Sequence, residues 1–196
     1  ITPLTNLVTL TIKHTPITSL PAFDTFVKMT ALAAPNNGLT HVEALPPNSN
    51  IDLHSNCLSS ITLPRLAKIE TLNLSRNAFT EAPSLEPVHS IKELDLSRNA
   101  ICQLSETSLH PSLKALNLSE NALVLFHPAL AICTSLTSLC LSGCHLFNIP
   151  LETASSLQKL RFLDLSCNSL ARFDGLGGFL QLDTLLLTSN AMRYIP

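Results

Sequence analysis

Tryptophan is absent from this 196-residue chain, glycine occurs five times, and charged residues make up only 13% of it. So few glycines leave little material for loops that cradle phosphate. No Walker A, G-x-G-x-x-G or G-x-S-x-G phrase occurs, so the usual nucleotide and acyl-transfer signatures are missing. No basic surplus exists either: the net charge is −2 and the pI is near 6.4, which offers no electrostatic footprint for a phosphate backbone or an anionic membrane. No apolar run approaches the length of a bilayer span, so no membrane insertion is expected. No basic segment followed by an apolar stretch opens the chain, so it reads as having no signal peptide.

What the chain does have is aliphatic. Hydrophobic residues reach 45%, and 40 of the 196 residues are leucine. That balance opposes disorder, which requires few large aliphatics and much charge. Six cysteines (Cys57, Cys102, Cys133, Cys140, Cys144 and Cys167) are spread through the middle and staple neither end. A secreted disulfide framework would be denser, so a reduced, cytoplasmic setting is expected, with an extracellular one as the alternative.

The leucines are periodic. Four phrases announce it: LNLSRNAF from Leu72, LDLSRNAI from Leu94, LNLSENAL from Leu116 and LDLSCNSL from Leu163. The template L-x-x-L-x-L-x-x-N-x-L extends to nine copies, whose fourth positions are Leu10, Leu32, Ile51, Leu72, Leu94, Leu116, Leu139, Leu163 and Leu185. Successive copies lie 22, 19, 21, 22, 22, 23, 24 and 22 residues apart. The sixth and eleventh columns are apolar as well, from Ile12 and Ile17 in the first copy to Leu187 and Met192 in the ninth. The second and third copies fit least well, with the poor strand sequence Ala31-Leu32-Ala33-Ala34-Pro35 and Asn48 in a normally apolar position.

Over essentially its full length the chain resembles the leucine-rich-repeat proteins. After the eleventh column apolar residues recur every third residue, as in Leu20, Phe23 and Phe26, or Phe173, Leu176 and Phe179. That spacing resembles the short, roughly 22-residue class typified by the regulatory subunit of protein phosphatase one. The resemblance implies a curved, right-handed α/β solenoid of about nine repeats. A parallel β-sheet would line its concave face, and short 3-10 or irregular segments its convex face. It also suggests intracellular partners such as phosphatase catalytic subunits, dyneins or cytoskeletal assemblies.

The columns carry their own physical reading. In L-x-L the fourth and sixth residues share one side of a short strand and the fifth faces the other way. One repeat alone cannot bury its leucines, whereas stacked repeats make a continuous core. The ninth column is asparagine in seven of nine copies, with Thr15 and Cys144 as the exceptions. Where the chain turns out of the strand, an amide satisfies backbone groups of its own and the next coil. Seven aligned asparagines therefore read as a turn ladder rather than as a ligand array.

No catalytic residue, metal site or cofactor is expected. Cys140-Leu-Ser-Gly-Cys144-His145 is the most metal-like phrase, yet Cys144 falls in the inward ladder and Cys140 faces outward, so the two diverge. Cys167, one repeat on, stands near enough to Cys140 to be weighed as a surface thiol pair. The seven histidines form no motif with ligand spacing. Gly175-Leu-Gly177-Gly178 reads as a turn. Serine recurs in the seventh column, where a small residue suits a crowded strand end.

Function is expected on the outward strand positions. The candidate partner-binding residues are Asp52, Asn73, Arg76, Glu93, Asp95, Arg98, Asn117, Phe162 and Asp164. Asn73, Asp95 and Asn117, flanked by Arg76 and Arg98, form a polar stripe, and Phe162 is the aromatic anchor beside it. The plainer alternative makes the Asp and Asn residues solubilising and pairs both arginines with Asp95. Two N-x-S sequons, at Asn73 and Asn117, arise from the repeat itself.

The chain is expected to be one leucine-rich-repeat domain over 1–196. It begins within one repeat and stops within another with no polar cap, which suggests a segment of a larger protein, or ends covered by a partner. The leading functional expectation is a non-enzymatic module that binds a protein, not a nucleic acid, on its concave face. The alternatives are the regulatory segment of a larger signalling enzyme (a phosphatase, kinase or cyclase) and an extracellular receptor or adhesion ectodomain.

Overall fold

The computed structural model describes residues 4–23, 26–42, 44–46, 50–64, 68–172 and 174–193. Asn48 and Phe173, singled out above, lie outside them. Nine three-residue strands follow the chain in order: β1 (Thr9–Thr11), β2 (Ala31–Ala33), β3 (Asn50–Asp52), β4 (Thr71–Asn73), β5 (Glu93–Asp95), β6 (Ala115–Asn117), β7 (Ser138–Cys140), β8 (Phe162–Asp164) and β9 (Thr184–Leu186). They form one sheet in sequential order, every neighbour pair parallel. The chain is a solenoid with one strand per coil.

Each strand is centred on the fourth column of the repeat, and those residues pair across the stack, as Leu72 with Leu94 and Leu94 with Leu116. The poor copies keep register too: Leu32 pairs with Leu10 on one side and Ile51 on the other. Alanine at positions 31 and 33 does not break β2, because the buried Leu32 between them supplies the contact that holds it.

The sixth column forms the centre of the core, with Leu53, Leu74, Leu96, Leu118, Leu141 and Leu165 fully buried. Burying each such leucine contributes about 1.5–3 kcal/mol. The eleventh column joins them through Leu58, Phe79, Ile101, Leu123, Leu146 and Leu170. The outermost coils are less covered: Leu10, Ile12 and Ile17 at one end, and Leu185, Leu187 and Met192 at the other, are only partly buried.

The side opposite the sheet carries 3-10 turns at Glu106–Ser108, Pro128–Ile132 and Leu176–Gly178. Among the described residues one true helix interrupts that pattern, α1 (Leu151–Ser156). It falls in the coil with the longest spacing, 24 residues from Leu139 to Leu163, where the extra length accommodates an α-turn. Coil to coil, α1 packs against the turn at Leu176–Gly178. Gly175-Leu-Gly177-Gly178, expected to be only a turn, also serves this packing. A side chain on Gly175 would overlap the Ile149 carbonyl, and one on Gly178 would crowd Ala154 and Ser155 at 2.8 Å.

The asparagine ladder is present, but it reaches back rather than forward. Asn56 Nδ2 donates to Leu53 of its own coil and to Ala34 of the preceding one, both at 2.9 Å, while its Oδ1 accepts from the Leu39 N–H at 3.1 Å. Asn77, Asn99, Asn121, Asn168 and Asn190 repeat this arrangement. Cys144 fits the ladder with its thiol 3.1 Å from the Leu118 carbonyl.

Candidate functional site

The outward residues of β2–β7 line one open trough of about 510 Å3. The third column supplies Ala31, Asn50, Thr71, Glu93, Ala115 and Ser138, and the fifth supplies Ala33, Asp52, Asn73, Asp95, Asn117 and Cys140. A sheet face that encloses volume in this way is concave, and its size falls within the range of ligand-binding clefts. Of the expected site residues, the trough gathers Asp52, Asn73, Glu93, Asp95 and Asn117. Phe162 and Asp164 lie one strand further on, half-buried on β8. Arg76 and Arg98 stand outside it, exposed at the corner where each strand ends.

That corner has a property the sequence reading missed. The eighth column adopts left-handed backbone in all nine coils, at His14, Asn36, Ser55, Arg76, Arg98, Glu120, Gly143, Cys167 and Ser189, with φ between 53° and 67°. The cause is the hydrogen-bond ladder. Arg76, Arg98 and Glu120 each donate their N–H to the seventh-column carbonyl of the next coil, at 2.7–2.8 Å. Only Gly143 and Asn36 have an intrinsic liking for that region, so the residue types gave little warning. Stacked corners also bring Arg98 against Glu120, with Nη2 2.7 Å from Oε1. The plainer alternative, in which both arginines pair with Asp95, is not what the structure holds: Arg98 pairs with Glu120, and Arg76 makes no ion pair with Asp95.

The fifth-column Asp and Asn side chains are neither free contacts nor mere solubilisers. Each turns one oxygen onto the backbone two residues ahead: Asp52 to His54, Asn73 to Ser75, Asp95 to Ser97, Asn117 to Ser119 and Asp164 to Ser166, at 2.9–3.2 Å. These are Asx turns that close the strand end. An Asp or Asn two residues before the seventh column was the available signal; the seventh-column serines bond through their backbone N–H, and Ser75 Oγ also donates to Asn73 Oδ1 at 2.7 Å. The second side-chain atom remains for other work. Asn117 Nδ2 donates to Asp95 Oδ2 at 3.3 Å, whereas on β3 His54 Nδ1 meets the same Asp52 Oδ1 that its own N–H reaches, at 2.7 Å.

The electrostatics of the face are one-sided. Across the third and fifth columns of all nine strands stand four carboxylates (Asp52, Glu93, Asp95 and Asp164) and no Lys or Arg. Basic residues sit on the rims, where Lys92 pairs with Glu70 at 2.7 Å and Arg161 with Asp183 at 3.2 Å. Cys140 registers the resulting field: burial pushes its thiol up, and the charges of Asp164 and Asp95 push it further. Cys167 lies at the left-handed corner of the next coil, and all six cysteines are free thiols. No group of three or more His, Cys, Asp or Glu able to hold a metal ion occurs among the described residues.

Residues 89–146 match the leucine rich repeat family, and no curated protein sequence matches the chain. Among solved structures, a chain of the Drosophila Toll–Spatzle complex aligns with 98% of this one at 22% identity and a TM-score of 0.87. The TLR13–ssRNA13 complex aligns with 98% at 26% identity and a TM-score of 0.72. YopM from Yersinia enterocolitica aligns with 84% at 27% identity and a TM-score of 0.63. The chain covers 28% to 34% of the length of those three. Its nine-copy repeat, its stacked parallel strands and these matches together give it the leucine-rich-repeat fold.

Proposed function

We propose that the chain is a non-enzymatic recognition module that holds a protein partner against the concave face of its sheet. The trough carries this reading. Its side chains project from strands fixed by a ladder and a buried core, so they lose little freedom on binding. Relatives in fold are seen with different ligand classes, a protein in the Toll–Spatzle complex and an RNA in the TLR13–ssRNA13 complex. Four carboxylates without a single Lys or Arg on the face would repel a phosphate backbone, which favours a protein here. Both sequon asparagines, Asn73 and Asn117, line the trough, so an N-linked glycan at either would fill it and oppose binding there.

Quantitative affinity purification tests the reading. The wild type is compared with Asp95→Arg and Phe162→Ala on the concave side, and with Leu180→Arg, an exposed position off the sheet. Proteins enriched by the wild type are expected to be lost from the first two variants and kept by the third. Retention of every enriched protein by both concave variants would move the site elsewhere.

A further inference from the structure

Resting on that reading, we propose that the partner enters the trough as an extended, arginine- or lysine-bearing segment running across the strands. The occupant is argued from charge. All four ionised groups on the third and fifth columns are acidic, and no Lys or Arg pairs with Asp52, Glu93, Asp95 or Asp164 among the described residues. By contrast, the rim carboxylates Glu70, Glu120 and Asp183 each have a cationic partner within the protein. Glu81, Glu86, Glu106 and Glu152 also lack a cationic partner but stand off the sheet; Asp52 (which His54 also meets), Glu93, Asp95 and Asp164 instead share one sheet face that carries no Lys or Arg of its own.

Spacing narrows the occupant further. Asp52 and Asp95 are two strands apart and Asp95 and Asp164 three, which at about 4.8 Å per strand gives roughly 10 and 14 Å. An extended chain advances about 3.3 Å per residue and turns every second side chain to the face, so basic residues four positions apart span about 13 Å; that matches the second gap, and a long Lys or Arg stem takes up the difference at the first. The floor between the carboxylates is low: Thr71, Ala115 and Ser138 leave room for the aliphatic stems of Lys or Arg. At the far end Phe162 and Asp164 share a strand and a face, so one guanidinium lying over the ring also reaches the carboxylate.

Fluorescence anisotropy on the full chain tests this, with a labelled peptide of about ten residues carrying an arginine at every fourth position among alanine and glycine. A matched peptide with glutamate for arginine is the control. The basic peptide is expected to bind and the acidic one not, with affinity falling as salt rises. The triple variant Asp52→Asn, Glu93→Gln, Asp95→Asn should weaken binding about tenfold or more. Asparagine keeps the Asx turns, as Asn73 and Asn117 already do, so unfolding curves check that the fold is intact. Glu106→Gln with Glu152→Gln, away from the sheet, should leave binding unchanged. Equal binding of the acidic peptide, equal loss in the distant variant, or unchanged binding in the triple variant overturns the proposal. A purified partner that needs Phe162 but tolerates the triple variant would sink this charge argument while leaving the concave-face reading standing. One indifferent to both would sink the two together.

Discussion

Asn121 reaches back one coil to Leu96: its Nδ2 donates to the Leu96 carbonyl at 3.0 Å, across 25 residues of chain. The same amide donates to Leu118 at 2.8 Å, and its oxygen accepts from the Ile101 N–H at 2.9 Å. Three backbone groups around one buried side chain thus depend on it. Replacing Asn121 with alanine should destabilise the chain by about 2–4 kcal/mol, because each orphaned buried group costs roughly 1–3 kcal/mol and partial relaxation recovers some of that. Chemical denaturation of wild type and variant measures it, and a loss below about 1 kcal/mol would mean that water or neighbours replace the amide.

Gly175 is held by close approach rather than by its backbone angle. A Cβ there overlaps the carbonyl of Ile149 on the preceding coil. Gly175→Ala should cost about 1–3 kcal/mol or more, since backbone rather than a flexible side chain must move. Gly177, with open space around its missing Cβ, is the internal control, and its alanine variant should be near neutral by the same denaturation assay.

Val124 is a β-branched residue with φ of 63°, exposed to solvent. Left-handed backbone costs an L-residue about 1–2 kcal/mol, of which glycine's larger unfolded-state entropy returns part. Val124→Gly should therefore raise stability by about 0.5–1 kcal/mol, visible as a higher denaturation midpoint. A fall would show that the valine side chain contributes more than its backbone costs.

Stability should have a plateau between pH 6.5 and pH 9, the ordinary values of its two titrating residue types. Burial lowers the His110 pKa, helped by the neighbouring His89, and burial lowers that of His127. The folded state therefore resists their protonation, and the stability they contribute is lost as pH falls below 6.5. Burial pushes the Cys133 thiol up to about 12 and the Cys144 thiol up to about 11. Above pH 9 the unfolded chain ionises them and the folded one does not, so stability declines as pH climbs toward those values. Unfolding midpoints across pH check both limbs, and Cys133→Ala should flatten the alkaline one. At pH 8 a thiol reagent should modify exposed Cys57, Cys102 and Cys167 quickly and leave Cys133 and Cys144 untouched until unfolding.

The strands were legible because burial in this fold is periodic. The strand residues Leu72, Leu94 and Leu116 recur at fixed spacing since each must meet the same residue of the next coil. Outward chemistry was less legible. Asp95 and Asn117 stood out as polar, yet their engagement with Ser97 and Ser119 depends on how the strand ends. Nor does sequence spacing reveal that Arg98 meets Glu120 instead of Asp95, because that choice follows from left-handed corners stacking on one another. Thr71, Ala115 and Ser138 carry no signal alone; they matter as the low floor between carboxylates.

Backbone amide chemical shifts, followed as the basic peptide is titrated into the chain, test the concave face most directly. The largest changes should fall on β3 to β8, at residues such as Asp52, Asn73, Asp95, Asn117 and Phe162. Changes concentrated instead on Glu106–Ser108, Pro128–Ile132 and α1, with the strands silent, would contradict a binding site on the sheet.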